Sequence, residues 1–230
     1  MSFIEADAVR PRDAVVIDVV SDVVCPWCYI GKRKLEAALG ELGRQDAAAE
    51  PSVRWHPFQL NPDLPPQGIP RKTYLHAKFG GARAAEVYAR VKAVGAEVGI
   101  AFDFDRIDIQ PNTLAAHRLI AWAQERVHAR LTSDLVERLF QAYFMQGRAI
   151  GEPDELAQIA SEAGLDPAAA RAMLASTENL AAVSAEDREA RDVGISGVPF
   201  FIFNGSTALS GAHDPETLLQ AIAAARSQST

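Results

Sequence analysis

Strand-forming residues gather at the two ends of this chain and leave its middle to helices. Asp13 to Val20 reads Asp-Ala-Val-Val-Ile-Asp-Val-Val, a β-branched run that suits a buried strand. Ser52 to Phe58 alternates and reads as a second strand, with Pro57 near its end or on an edge. From Arg71 to about Ala182 the spacing is helical. Leu135, Val136, Leu139, Phe140, Tyr143 and Phe144 form one apolar face, and Leu156, Ile159, Ala160 and Ala163 another. Strand-type residues return only at Val198 to Phe203; Asn204-Gly205 then predicts a two-residue hairpin turn, with Thr207 to Ser210 as the partner strand. One sheet can form only if the two ends meet in space. The helical middle is then an insertion lying over that sheet.

The two cysteines of the chain fall at the seam between the first strand and the helix after it, in Cys25-Pro26-Trp27-Cys28. Amides at a helix start point at whatever precedes them, and the helix dipole is positive there. A thiol so placed ionises more easily than a free one, and the thiolate is the reactive form. Cys28, three residues on, falls on the same side of the helix and can attack a mixed disulfide formed at Cys25. As a structural staple the pair is badly placed, because it closes a tiny loop and little chain entropy is removed. Dithiol–disulfide exchange is the chemistry this spacing serves: Cys25 the nucleophile, Cys28 the more buried resolving thiol. Pro26 fixes the first turn and withholds one amide. Trp27 reads either as part of an apolar lip around the sulfur or as plain packing.

Other residues have two readings each. Asp18 is either a buried acid below the thiols or, as strand alternation favours, a polar outward residue of a half-covered strand. Asp22 reads as a turn former ahead of proton relay near Cys28. Lys32, Arg33 and Lys34 read as the wet face of the helix carrying Leu35, Ala38, Leu39 and Leu42, and Gly43 as its end. Asn61 to Pro70 holds four prolines and one glycine and reads as an extended loop. Pro153 and Pro167 suit first helical positions. Asn112 reads as a helix cap, and Asp214, before Pro215, as the cap of the last helix. His56, His117 and His213 lack metal-ligand spacing to another His or Cys, and His117 reads as a satisfied core or boundary residue. No metal site is expected.

Gly197-Val198-Pro199-Phe200 places a proline at the opening of a core strand, where it cannot donate a ladder hydrogen bond. In cis it would expose the backbone of Val198 to an extended peptide; in trans it is an ordinary strand start. The formal charge of −7 argues against a nucleic-acid partner, since that binding relies on clustered Lys and Arg. No apolar run is long enough to span a bilayer, and Met1 to Arg10 has no secretory pattern, so a cytoplasmic protein is expected.

Four ordered motifs carry a resemblance over almost the whole chain: Ser21 to Lys32, Trp55 to Pro62, Pro111 to Leu119 and Gly197 to Gly205. The chain resembles the thioredoxin superfamily and, more narrowly, the DsbA family in its FrnE-like cytoplasmic branch. The resemblance implies an α/β, thioredoxin-like fold with a large all-helical insertion domain. Residues 1–62 and 183–230 would form the two parts of the thioredoxin-like domain, and 63–182 the insertion. It implies a cis bond before Pro199, with Pro26, Trp27, Val198 and Pro199 holding substrate and Val198 and Pro199 keeping metal off the dithiol. Trp27 stands where periplasmic members carry a histidine between the cysteines; it cannot carry charge, so a potential toward the middle of the family range is implied. The partners implied are protein or peptide thiols and disulfides, with no cofactor beyond the redox-active disulfide, and the chain is a monomer or homodimer. The competing reading is a glutathione-dependent isomerase or transferase acting on a small molecule, as in kappa-class transferases and hydroxychromene-carboxylate isomerases, with a link to polyketide metabolism. Those enzymes usually carry serine at the first cysteine position, with glutathione as co-substrate.

Overall fold

The computed structural model describes residues 15–45, 51–80 and 83–228. Asp13 and Ala14 of the first expected strand lie outside the described residues; the strand observed is β1, Val16–Ser21. It pairs in parallel with β2 (Ser52–Pro57) and antiparallel with β5 (Phe200–Phe203), which pairs antiparallel with β6 (Thr207–Ser210). The ends of the chain therefore do meet, in the order β2-β1-β5-β6. Parallel neighbours need a crossover, and helix α1 (Pro26–Gln45) supplies it between β1 and β2.

Alternation gives the sheet two faces. Ile17, Val19, Phe201 and Phe203 pack in the main core with Leu35 and Ala38 of α1 and Leu218 and Ile222 of α9 (Pro215–Ser227). Val20 and Ile202 face the other way, against Ala190 of α8 (Leu180–Asp192) and Ile195. Between β2 and β5 run α2 (Arg71–Phe79), α3 (Arg83–Glu97), α4 (Leu114–Gln124), α5 (Ala129–Phe144), α6 (Pro153–Glu162), α7 (Pro167–Ala175) and then α8. A two-residue ladder, β3 (Ile69–Pro70) with β4 (Ile109–Gln110), interrupts this helical stretch, so the proline-rich loop ends paired. The apolar faces expected on α5 and α6 are buried as expected, and Pro153 and Pro167 open their helices. No helix among the described residues is long and apolar enough to cross a membrane.

Side chains of the helical stretch finish the sheet. β2 is an edge strand, an open row of backbone groups. Gln124 of α4 closes it: its side chain accepts from the Trp55 amide (2.7 Å) and donates to the Trp55 carbonyl (3.3 Å). The Trp55 indole donates to Ser133 of α5 (3.2 Å).

Several local expectations change. The hairpin turn takes three residues, Asn204-Gly205-Ser206, because Phe203 pairs with Thr207. Asn204 and Gly205 both have positive φ, as a type I′ turn requires, and the Ser206 amide closes that turn on the Phe203 carbonyl (3.1 Å), so Ser206 is the added residue. Helix α1 continues past Gly43 to Gln45. Its basic run is not a wet face. Lys32 is 2% exposed and donates to Glu36 and to Glu137 of α5 (2.9 Å). Arg33 donates to Glu137 and Tyr29, and Lys34 to Asp214 (2.6 Å) and the Ala212 carbonyl. The reason is tertiary: α1 is covered by α5 on one side and by the turn before α9 on another, so its cations meet carboxylates from both. Asp18 also departs from expectation. It lies on the central strand, buried, on the face away from α1, and accepts from Arg54 (2.7 and 3.0 Å) and pairs with His56 (2.8 Å). It is neither an outward polar residue nor an acid below the thiols.

Candidate active site

Cys25 closes the turn between β1 and α1. Its amide donates to the Asp22 carbonyl (2.9 Å), and its own carbonyl accepts from the amides of Cys28 (3.0 Å) and Tyr29 (3.3 Å). This is the N-cap position, where the carbonyl has joined the helix and the side chain faces the free amides. Pro26 at the first helical position has no N–H, so the Trp27 amide is the first one there. The Cys25 sulfur thus lies at the positive end of a 20-residue helix.

The second half of the site comes from the far end of the sequence. The Cys25 thiol donates to the Val198 carbonyl at 3.5 Å, across 173 residues of chain. The Val198–Pro199 bond is cis, as the resemblance implied. Gly31 lets α1 lie against this turn: a Cβ there would come within 2.9 Å of Pro199 Cγ and 3.2 Å of Phe201 Cζ. Pro26, Trp27 and Val198 are half-buried around the sulfur, and Trp27 packs against the main core.

Cys25 is 5% exposed and Cys28 1%, both free thiols, so the order of burial is the expected one. Burial pushes the Cys28 thiol well above the ordinary thiol range. The neighbouring Cys25 sulfur raises it further, while the Ser21 side chain and the Asp22 backbone pull the other way. Cys28 therefore rests protonated at neutral pH and Cys25 is left as the group to react first.

Asp22 is fully buried beneath this turn. Its Oδ2 accepts from the Leu60 amide (2.7 Å), while Asp187 Oδ1 accepts from the Gln59 amide (2.7 Å) and Arg191 donates to the Gln59 carbonyl. Together they hold the loop after β2 against the cysteine turn. Asp22 is thus the turn former expected, its carbonyl accepting from the Cys25 amide, and its side chain is in addition an anchor between segments. His117, on α4, is 4% exposed with its Nε2 3.4 Å from Asp22 Oδ1. Neither of those two atoms has a hydrogen-bond partner, so His117 is a core residue but not a satisfied one. Nothing in sequence links positions 22 and 117. Asn112 does act at a helix start: its Oδ1 accepts from the Leu114 amide (2.9 Å) and its Nδ2 donates to the Leu64 carbonyl (2.8 Å). Asp214 occupies the cap position of α9 without capping, because its carboxylate is drawn to Lys34. Among the described residues no group of three or more His, Cys, Asp or Glu is placed to hold a metal.

Known proteins are similar to this chain in sequence or in fold. The Bacillus subtilis (strain 168) protein YwbO is 29% identical over 215 residues, 90% of this chain and 96% of YwbO. The solved structure of the probable DsbA oxidoreductase SCO1869 from Streptomyces coelicolor is 31% identical and superposes with a TM-score of 0.82, over 94% of this chain and 92% of that one. 2-Hydroxychromene-2-carboxylate isomerase shares the fold (TM-score 0.67, 15% identity, 93% of this chain and 97% of that one). The helix-start cysteines and the Val198–Pro199 edge both lie inside residues 16–223, which match the family described as DSBA-like thioredoxin domain, and by that match the chain belongs to this family.

Proposed function

We propose that this protein is a thiol–disulfide oxidoreductase that exchanges disulfides through Cys25 and Cys28. The observation that carries the reading is the Cys25 sulfur at the start of α1, facing the Val198 carbonyl. A thiolate at Cys25 attacks one sulfur of a substrate disulfide; a Cys25–substrate bond forms, the substrate S–S bond breaks, and one substrate thiolate leaves. Cys28 then loses its proton and attacks Cys25 Sγ. The Cys25–Cys28 disulfide forms and the second substrate thiolate departs, so the substrate gains two electrons and the cysteine pair loses them. In the other direction the oxidised pair accepts electrons from a substrate dithiol. Val198 offers backbone polar groups to an extended substrate beside the sulfur, with Pro26, Trp27 and Pro199 forming the walls. A cytoplasmic setting, where such pairs act as catalysts rather than staples, fits this use.

The glutathione-dependent isomerase reading is weaker on chemistry. That activity holds a bound thiolate by a hydroxyl at the first position, and here the position is itself a thiol with a second thiol behind it. Cys25→Ser is expected to abolish reduction of insulin disulfides, and Cys28→Ser to accumulate a mixed disulfide at Cys25 under mass spectrometry. Undiminished insulin reduction by Cys25→Ser overturns the proposal. Tight calorimetric binding of glutathione to Cys25→Ala would move the reading to the isomerase class.

A further inference from the structure

The Cys25 sulfur and the Val198 carbonyl belong to segments 173 residues apart, yet they stand 3.5 Å from each other. Some element must hold the two segments in register, and helix α8 is tied to both.

The C-terminal end of α8 sets the Val198 side. The Ile195 amide donates to the Ala190 carbonyl (3.0 Å) and the Gly194 amide to the Arg191 carbonyl (2.9 Å), with Gly194 at a φ of 91°. This is a Schellman ending, in which the residue after the glycine also packs back on the helix. Ile195 and Ala190 do so, both buried in the small cluster on the far face of the sheet. Val198 follows closely and packs on the same cluster.

The last turns of the same helix set the Cys25 side. Asp187, 5% exposed, accepts from the Gln59 amide at 2.7 Å. Arg191 donates to the Gln59 carbonyl and to both oxygens of Asp187 (3.3 and 3.1 Å). Its guanidinium lies 4.2 Å from the centre of the Phe58 ring. Both backbone groups of Gln59 are therefore held by α8. The next amide, that of Leu60, donates to the Asp22 carboxylate (2.7 Å), and the Asp22 carbonyl accepts from the Cys25 amide (2.9 Å). Gly31 also brings α1 against Pro199, but that apolar contact limits approach without setting a direction. Hydrogen bonds do set one.

We infer that Asp187 and Arg191 are positioning residues that fix the Val198 edge relative to the Cys25 sulfur, so that the site prefers a disulfide carried on an extended peptide to one carried on a small molecule. This rests on the exchange reading above. An extended substrate has to place its sulfur on Cys25 and its backbone on Val198 at once. A small disulfide has only the sulfur to place. A shift of one half against the other costs the peptide a backbone hydrogen bond and takes nothing of that kind from the small molecule. The helical stretch thus reaches the chemistry through α8, not only by covering the sheet.

The test compares two mixed disulfides of thionitrobenzoate, one on the central cysteine of a short linear peptide and one on mercaptoethanol. In each, the Cys25 thiolate bonds to the substrate sulfur, the bond to thionitrobenzoate breaks, and the coloured thiolate leaves. Wild type should react about tenfold faster with the peptide, the worth of one hydrogen bond. Arg191→Met keeps a long apolar stem over Phe58 and removes the donors, and should bring that ratio down to about unity. Arg191→Lys, which retains a charge and a donor, should restore it to about threefold. Damage to the thiol or to the fold slows both substrates alike and leaves the ratio where it was, so an unchanged ratio in Arg191→Met overturns the inference. Asp187→Asn still offers the Gln59 amide an oxygen and carries the test if Arg191→Met fails to fold; its ratio should drop to about threefold, and an undiminished one overturns the inference too. Equal rates on both substrates in wild type do the same. Release from neither substrate above the level of Cys25→Ser would instead defeat the exchange reading itself, and is read separately.

Discussion

Replacing Glu137 by Gln should loosen the catalytic helix from the helices that cover it. Glu137 of α5 accepts from the Tyr29 hydroxyl (2.7 Å), Lys32 Nζ (2.9 Å), Arg33 Nη2 and Gln141 Nε2 (2.8 Å). Three of these donors belong to α1 within about two turns of Cys25. Burial opposes the charge on Glu137, but Lys32, Tyr29 and Arg33 outweigh it and hold the carboxyl below the usual range. Gln keeps one acceptor oxygen and turns two N–H donors toward two cations. Lys32 is then left 2% exposed with only the half-exposed Glu36 to pair with. Breaking a buried ion pair from one side costs about 3–5 kcal/mol. Glu137 is 16% exposed and Lys32 retains Glu36, so the cost is shifted about 1 kcal/mol below that range, to about 2–4 kcal/mol. At roughly 2–4 °C per kcal/mol for a chain of this size, the melting temperature should fall by about 4–16 °C. The assay is urea and thermal unfolding of the reduced protein near neutral pH, with the urea slope unchanged. The effect must also fade in acid. A carboxyl depressed in the folded state contributes stability above its unfolded value of about 4.3 and loses it as pH falls through the folded one. The curves of wild type and the Glu137→Gln variant should therefore converge there. A melting temperature within about 1 °C of wild type at neutral pH, or a gap that persists undiminished in acid, would refute the reasoning.

Two further perturbations probe the sheet faces. Gly31→Ala gains about 0.5–1 kcal/mol of helix propensity but drives a Cβ to 2.9 Å from the Pro199 ring, an overpacking cost of about 1–3 kcal/mol. The expected result is net destabilisation with slower insulin reduction, and an alanine variant more stable than wild type would contradict the close approach of α1 to Pro199. On the opposite face burial disfavours charge on His56, yet its contacts with Asp18 (2.8 Å) and Glu186 (3.5 Å) prevail and raise its pKa. A raised histidine contributes stability that is full below its unfolded value of about 6.5 and is lost as pH climbs through the folded one. Wild type should thus weaken relative to His56→Gln as pH rises through that window in urea titrations, and parallel curves would show that the pairing carries no free energy.

How much was legible in the sequence follows from the range of each interaction. Local rules placed both thiols at a helix start, the apolar faces of α5 and α6, Pro153 and Pro167 at first helical positions, and the β5–β6 hairpin, because each depends on neighbours within a few residues. The position of the turn was legible but not its length, since an extra residue, Ser206, changes the register without changing the signal of Asn204-Gly205. The basic run at 32–34 misled because its composition is that of a solvated face; only the packing of α5 on α1 turns Lys32 inward.

What the chain order determined by itself is that two strand-bearing ends must form one sheet around a dithiol at a helix start, since backbone pairing and helix capping are written in local patterns. The tertiary structure alone decided which carboxylates meet which cations, that Asp18 is buried with Arg54 and His56, and that His117 of the inserted helices lies against Asp22 beneath the cysteine turn. Positions 22 and 117 share no periodicity and no spacing rule. Their meeting depends on how α4 packs over the sheet, a choice made by the summed burial of many apolar side chains rather than by either polar residue.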